Sequence, residues 1–195
     1  MYKNKTSRVL VAVTVLILIF SVTACEKDEE GVYKAGDFEF YREYIGDLSF
    51  LVPSHWATFI PNPGDEDALL PIFGSEFSAW YPEFENEPNF TVNQFNTFGV
   101  LPTDEEMQGL LLMQTGGKID IESLEWSTVI DPVNALFLRG VIINEDSVYK
   151  GMKVIDISFV YNDWIYFISA VYDGNEPEQD FLINYMIDSL NLAIY

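Results

Sequence analysis

From residue 37 onward, apolar and polar positions divide the chain into short strands and two helices. Phe38 and Phe40 share one face of the segment 37–42. Leu48-Ser-Phe-Leu-Val52 is a continuous apolar run closed by Pro53, which cannot donate to a ladder. Further strands are predicted over 77–81, 90–95, 135–143, 152–160 and 164–172. Gly140, inside the long run 135–143, marks a bulge or a close backbone approach. The last two strands form a hairpin, because Asn162 and Asp163 tolerate the left-handed geometry of a tight turn. In the second of them, Trp164, Tyr166, Ile168, Ala170 and Tyr172 lie on one face. Ile165, Phe167, Ser169 and Val171 lie on the other, so both faces of that strand are expected to be covered.

Two helices interrupt the strands. Thr103-Asp-Glu-Glu106 has the spacing of a capping box, with Met107, Leu110, Leu111 and Gln114 following at helical intervals. Gly116-Gly117 stops this helix. A second helix starts near Pro177 and carries Phe181, Ile183, Met186, Ile187 and Leu190 as its apolar stripe. Residues 54–76 and 82–89 are rich in Pro, Gly and acids and read as long loops. No internal repeat is present.

The N-terminal pattern is of another kind. Lys3, Lys5 and Arg8 precede an apolar run from Val9 to Phe20, and small residues follow. This is the layout of a secretory signal. The uncharged stretch ends at Ala24 and is short for a membrane span. Val22-Thr23-Ala24-Cys25 resembles the lipobox of bacterial lipoproteins, and Cys25 is the single cysteine of the chain. The resemblance implies that residues 1–24 are removed and that Cys25 carries a diacylglyceryl anchor. Two acyl chains suffice for stable anchoring. The implied address is the extracytoplasmic face of a bacterial cell membrane. An ordinary cleaved signal, a short span and a chance cysteine are the competing readings. Residues 25–36 are then an acidic tether, and 37–195 one globular domain. A domain of this size buries about 70% of its unfolded surface and can hold together without disulfides.

Charge sharpens this picture. The 195 residues hold 31 acidic and 10 basic side chains, a net charge of −21. Residues 1–24 hold three of the basic residues and none of the acidic ones, which leaves seven against 31, a net charge of −24. Such a domain repels nucleic acid, and an anionic bilayer would push it outward on its tether.

The order of elements adds a second resemblance. Gly46-Asp-Leu-Ser-Phe-Leu-Val-Pro53 leads into Trp56. A late aromatic hairpin then precedes a helix ending Ile187-Asp-Ser-Leu-Asn-Leu192. This looks like the PsbP/Mog1-like family. The resemblance implies an α+β fold, an antiparallel sheet flanked by helices in an α/β/α sandwich. Members often have a helix soon after the Trp, whereas Ile60-Pro-Asn-Pro-Gly64 is hostile to one. The family has no shared catalytic residues, and its characterised members mostly bind other proteins.

No catalytic or metal-ligating residue is assigned, and no cofactor is expected. His55 is the single histidine, lacks a partner at motif spacing and reads as a structural or loop residue. No phosphate loop, nucleophile elbow or zinc motif occurs. Four acidic groups have enough oxygens for calcium but no EF-hand spacing: Asp65-Glu-Asp67, Glu83/Glu85/Glu87, Glu145-Asp146 and Asp173–Asp180. Trp80-Tyr81 and Trp164/Tyr166 suit either a groove or the core, and aromatics at strand spacing favour core. The expectation is a non-enzymatic, lipid-anchored domain with a protein partner in the cell envelope. A solute- or calcium-binding lipoprotein and a carboxylate-dependent hydrolase are the alternatives.

Overall fold

The computed structural model describes residues 31–59, 76–80, 88–128, 130–131 and 133–192. The signal, Cys25, Ile60–Gly64 and the acids at 65–67 and 83–87 lie outside them. Two antiparallel sheets and two helices make up the described chain. The larger sheet has the order β4-β5-β6-β10-β9-β8-β7. Its strands are β4 (Ala57–Phe59), β5 (Glu76–Trp80), β6 (Asn89–Asn96), β7 (Ile119–Ser127), β8 (Ala135–Ile142), β9 (Lys153–Tyr161) and β10 (Trp164–Tyr172). The smaller sheet joins β1 (Tyr33–Ala35), β2 (Phe38–Ile45), β3 (Leu48–Pro53) and β11 (Asn191–Leu192) in that order. The helices are α1 (Asp104–Thr115) and α2 (Pro177–Asp188).

The β9–β10 hairpin forms as its turn residues dictate. Asn162 and Asp163 have φ of 48° and 62°, and Tyr161 pairs with Trp164. Both faces of β10 are covered. Tyr166, Ile168, Ala170 and Tyr172 enter the main core, while Ile165 and Phe167 join a smaller cluster with Leu111, Leu136 and Leu138. That smaller cluster lies under α1. The main core is closed by β3, buried along its whole length, and by α2. Phe50 of β3 meets Phe77 at 5.0 Å and Phe90 at 5.5 Å, which fastens the small sheet to the large one.

The α/β/α sandwich is therefore corrected. The helix α1 covers one face, but α2 shares the other with a four-stranded sheet. Four boundaries also shift. Tyr33–Ala35, read as tether, pairs with Phe38–Phe40 and belongs to the fold. Ala57–Phe59, read as loop, pairs with Ser78–Trp80. The edge strand β7 was not anticipated. The last helix ends at Asp188 instead of running to Leu192. Ser189 accepts the Leu51 N–H at 2.8 Å, and Asn191 and Leu192 then pair with Ser49 and Leu48. The stripes narrow as well: Leu110 and Phe181 are exposed, whereas Met107, Leu111 and Thr115 of α1, and Leu182 of α2, are buried. Phe181 instead covers Phe38 at 5.8 Å, at the start of β2 in the small sheet.

Asp156 of β9 stands opposite Leu138 and Ser169, so it faces the α1 side and is buried there. Burial pushes its carboxyl above the usual range, and a hydrogen bond from Ser169 opposes this. A raised folded value means that stability is fully present below the unfolded pKa and is lost as pH rises through the folded one. Asp156→Asn removes that loss while retaining an acceptor for Ser169. Urea unfolding should show the variant more stable than the parent at pH 7 and nearly equal to it at pH 4. Parallel pH profiles would contradict this account.

Candidate functional site

Two places on the described surface combine chemistry with accessibility. The first is an open cleft of about 210 Å³ beside α2, where the outer strands of the large sheet run past the helix. Its floor is Gly140, Val154 and Ile155; its polar groups are Glu122, Arg139, Lys153, Tyr172, Asp180 and Asn184. Sheet register explains the assembly. Arg139 pairs with Ile155, and Lys153 pairs with Tyr172, so the two cations are diagonal neighbours on the face turned toward α2. Glu122 occupies the bulge of β7 between Ile121 and Ser123, opposite Gly140 and Arg139. Asp180 and Asn184, one helical turn apart, supply the opposite wall.

Two glycines border this region, and Gly140 is required by space. A methyl group on Gly140 would overlap the carbonyl oxygen of Asp120, so the close approach expected at Gly140 is real and its bulge lies on the partner strand. A methyl on Gly174 would overlap the stem of Lys153, which lies across it. Among the described residues, neither Arg139 nor Lys153 closes an ion pair, while Lys34 and Lys150 do so with Glu39 and Glu145. The Arg139 guanidinium sits 5.8 Å from the centre of the Phe137 ring. Burial, then the adjacent Asp180 carboxylate, pushes the Tyr172 hydroxyl up to about 12 against the opposing pull of Arg139. It is a neutral donor at physiological pH.

The second place is the turn Thr97–Val100, which joins β6 to α1. Phe98 and Gly99 have φ of 53° and 78°, and the Val100 N–H donates to the Thr97 carbonyl at 3.0 Å. Two left-handed residues in succession normally call for Asn, Asp or Gly at the first position. Phe98 is there instead, held by its N–H donating to Asn96 Oδ1 at 2.6 Å. Phe98, Val100 and Leu101 are 73%, 75% and 60% exposed. The turn is anchored at Thr97, whose N–H donates to the Asp163 carbonyl at 2.8 Å. On its other side stands the expected capping box, with the Thr103 N–H donating to Glu106 Oε2 at 2.8 Å. Those bonds hold the Glu106 carboxyl below its usual range.

Of the residues singled out in the sequence, Gly140 and Asp180 line the cleft, and the others fall elsewhere. His55 is exposed in the turn after β3, 6.1 Å from the Phe38 ring. Glu145 pairs with Lys150 at 2.5 Å, and Asp173 accepts from the Asn175 backbone at 2.9 Å, so each has a local structural task. Tyr166 is fully buried; it stacks on Phe159 at 4.9 Å and accepts from Gln94 at 2.9 Å. Trp164 packs against the main core and Trp80 is half-buried. Tyr81, like Cys25, lies outside the described residues. Neither the cleft nor the apolar turn was anticipated. The charges of the cleft are far apart in sequence, but Phe98-Gly-Val-Leu-Pro102 was a visible signal, an apolar run with a central Gly.

No protein-family profile matches the chain, and no curated protein is similar to it. Solved structures are. Cyanobacterial PsbP (CyanoP) from Synechocystis aligns with a TM-score of 0.54 at 12% identity, over 82% of this chain and 98% of that one. A Pseudomonas aeruginosa protein of unknown function aligns at 0.47 and 9% identity, over 80% and 99% of the two chains. A Bacteroides thetaiotaomicron structure aligns at 0.42 and 13%, over 76% and 46%. The first of these gives the class: the domain has a PsbP-like fold.

Proposed function

We propose that this chain is a lipid-anchored, extracytoplasmic accessory domain that binds a protein of the cell envelope and catalyses no reaction. The observation that carries the binding role is the turn at Phe98. A left-handed backbone costs a bulky residue about 1–2 kcal/mol. Here that cost is borne by a side chain that gains almost no burial in return, the pattern of strain kept for a contact. Acids flank the apolar turn, with Asp104, Glu105 and Glu106 following it in the chain and Asp163 joined to Thr97 through its backbone carbonyl. They disfavour an anionic bilayer as its target and favour an apolar pocket bordered by basic groups. The lipobox at Cys25 supports the anchor, and the family resemblance supports a protein as the partner.

Mass spectrometry of the membrane-extracted protein tests the anchor. A chain beginning at a diacylglyceryl-modified Cys25 is expected; a free Cys25 thiol or another N-terminus would overturn it. A photo-crosslinker at Val100, in the native cells, is expected to give a discrete adduct that Phe98→Asn abolishes. The same adduct from a crosslinker at Glu145 would mean that the turn is not special. Phe98→Asn should also raise stability by about 1 kcal/mol in urea, since Asn tolerates the left-handed region. A loss of stability would show that the Phe98 ring supports the fold.

A further inference from the structure

The cleft beside α2 holds a mixture of charges that selects among ligands. A simple anion attracted by Arg139 and Lys153 also meets Glu122, Asp180 and the field of a strongly acidic chain. A simple cation attracted by the two acids meets Arg139 and Lys153. A molecule carrying one charge of each sign, a short distance apart, satisfies both sets. The cleft is open and its space, about 210 Å³, is enough to seat a small molecule. The cations and Glu122 belong to neighbouring strands of the sheet, and Asp180 comes from the helix across the cleft, so an acid is present on either side of the space. Tyr172 and Asn184 add neutral hydrogen-bonding groups.

We propose that this cleft binds a small zwitterion of the α-amino-acid class, with its carboxylate on Arg139 and Lys153 and its ammonium on Asp180 and Glu122. The planar guanidinium of Arg139 matches a carboxylate through two parallel hydrogen bonds, which Lys153 supplements as a point charge. Ligand binding also relieves the proximity of two like charges on diagonal positions of one sheet face. The proposal rests on the cleft alone and is independent of the anchor and of the turn at Phe98.

The test is calorimetric titration of the full chain, produced in bacteria and purified in detergent, with the standard free amino acids. For each that binds, the matching deaminated acid and decarboxylated amine are titrated too. At least one amino acid is expected to bind saturably, and both truncated analogues to bind at least about tenfold more weakly. Arg139→Gln and Asp180→Asn should each weaken binding by about tenfold or more, with Lys150→Gln as an unaffected control. Arg139→Lys, which keeps the charge and loses the fork, separates recognition from folding. It should lose affinity at an unchanged melting temperature. The proposal fails if no amino acid binds at about 10 mM, if a truncated analogue binds equally well, or if all three cleft variants bind like the parent.

Discussion

Gly46→Ala is expected to destabilise the domain by about 2–4 kcal/mol, combining about 1 kcal/mol of backbone strain with an overpacking cost of about 1–3. Gly46 opens the two-residue turn between β2 and β3 and has φ of 57°. An added methyl would stand 3.0 Å from Tyr166 Oη and also press on the Gln94 amide. These groups cannot easily yield. Gln94 Nε2 donates to Tyr166 Oη at 2.9 Å, and the Asp47 N–H donates to the same oxygen at 3.4 Å. Asn162 Nδ2 bonds Asp47 Oδ2 at 2.9 Å from the neighbouring hairpin. The turn, β6 and β10 therefore meet at one hydroxyl, where the small sheet is fixed to the large one. Gly36 provides the control. It has φ of 60° but nothing within 4 Å of an added methyl, so Gly36→Ala should cost only the strain, about 1 kcal/mol. Thermal or urea unfolding of both variants separates the two contributions. Equal losses would show that packing around Tyr166 is not what holds the joint.

The joint illustrates which parts of the fold were legible in the sequence. Elements whose cause is local were readable: the capping box at Thr103 and Glu106, the stop at Gly116, and the turn at Asn162 and Asp163. The two-sided burial of β10 was readable too, because it is written along one strand. Elements whose partner is remote were not. The strand β1 has only three residues and reads as tether unless β2 is known to lie beside it. In β7 the bulge at Glu122 interrupts the alternation of Ile119 and Ile121 with Leu124 and Trp126, and most of the strand is exposed. The cleft fails for the same reason. Residues 122, 139, 153 and 180 converge only through the order β10-β9-β8-β7 and the placement of α2, and no spacing along the chain encodes that.

The largest single loss is expected from Leu111→Ala, about 2–5 kcal/mol by the usual range for a buried leucine. The helix α1 has few ties to the sheet. Its buried residues are Met107, Leu111 and Thr115, and of these Leu111 belongs to the cluster with Leu136, Leu138 and Phe167. A helix of 12 residues is marginal by itself in water. The capping box contributes about 1 kcal/mol, which cannot replace the lost packing. The cavity left by Leu111 should thus release α1 before the sheets unfold. In hydrogen exchange, the amides of 107–115 should lose protection first, while those of β3, β9 and β10 exchange only with global unfolding. The consequence reaches the proposed contact surface, because α1 follows directly on the apolar turn. Crosslinking from Val100 should weaken in Leu111→Ala although Leu111 is wholly buried. If α1 stays as protected as β9 and the loss is below about 1 kcal/mol, the cluster has collapsed around the smaller side chain. The turn at Phe98 would then owe its shape to Asn96 and Thr97 alone, through the Phe98 N–H on Asn96 and the Thr97 N–H on Asp163.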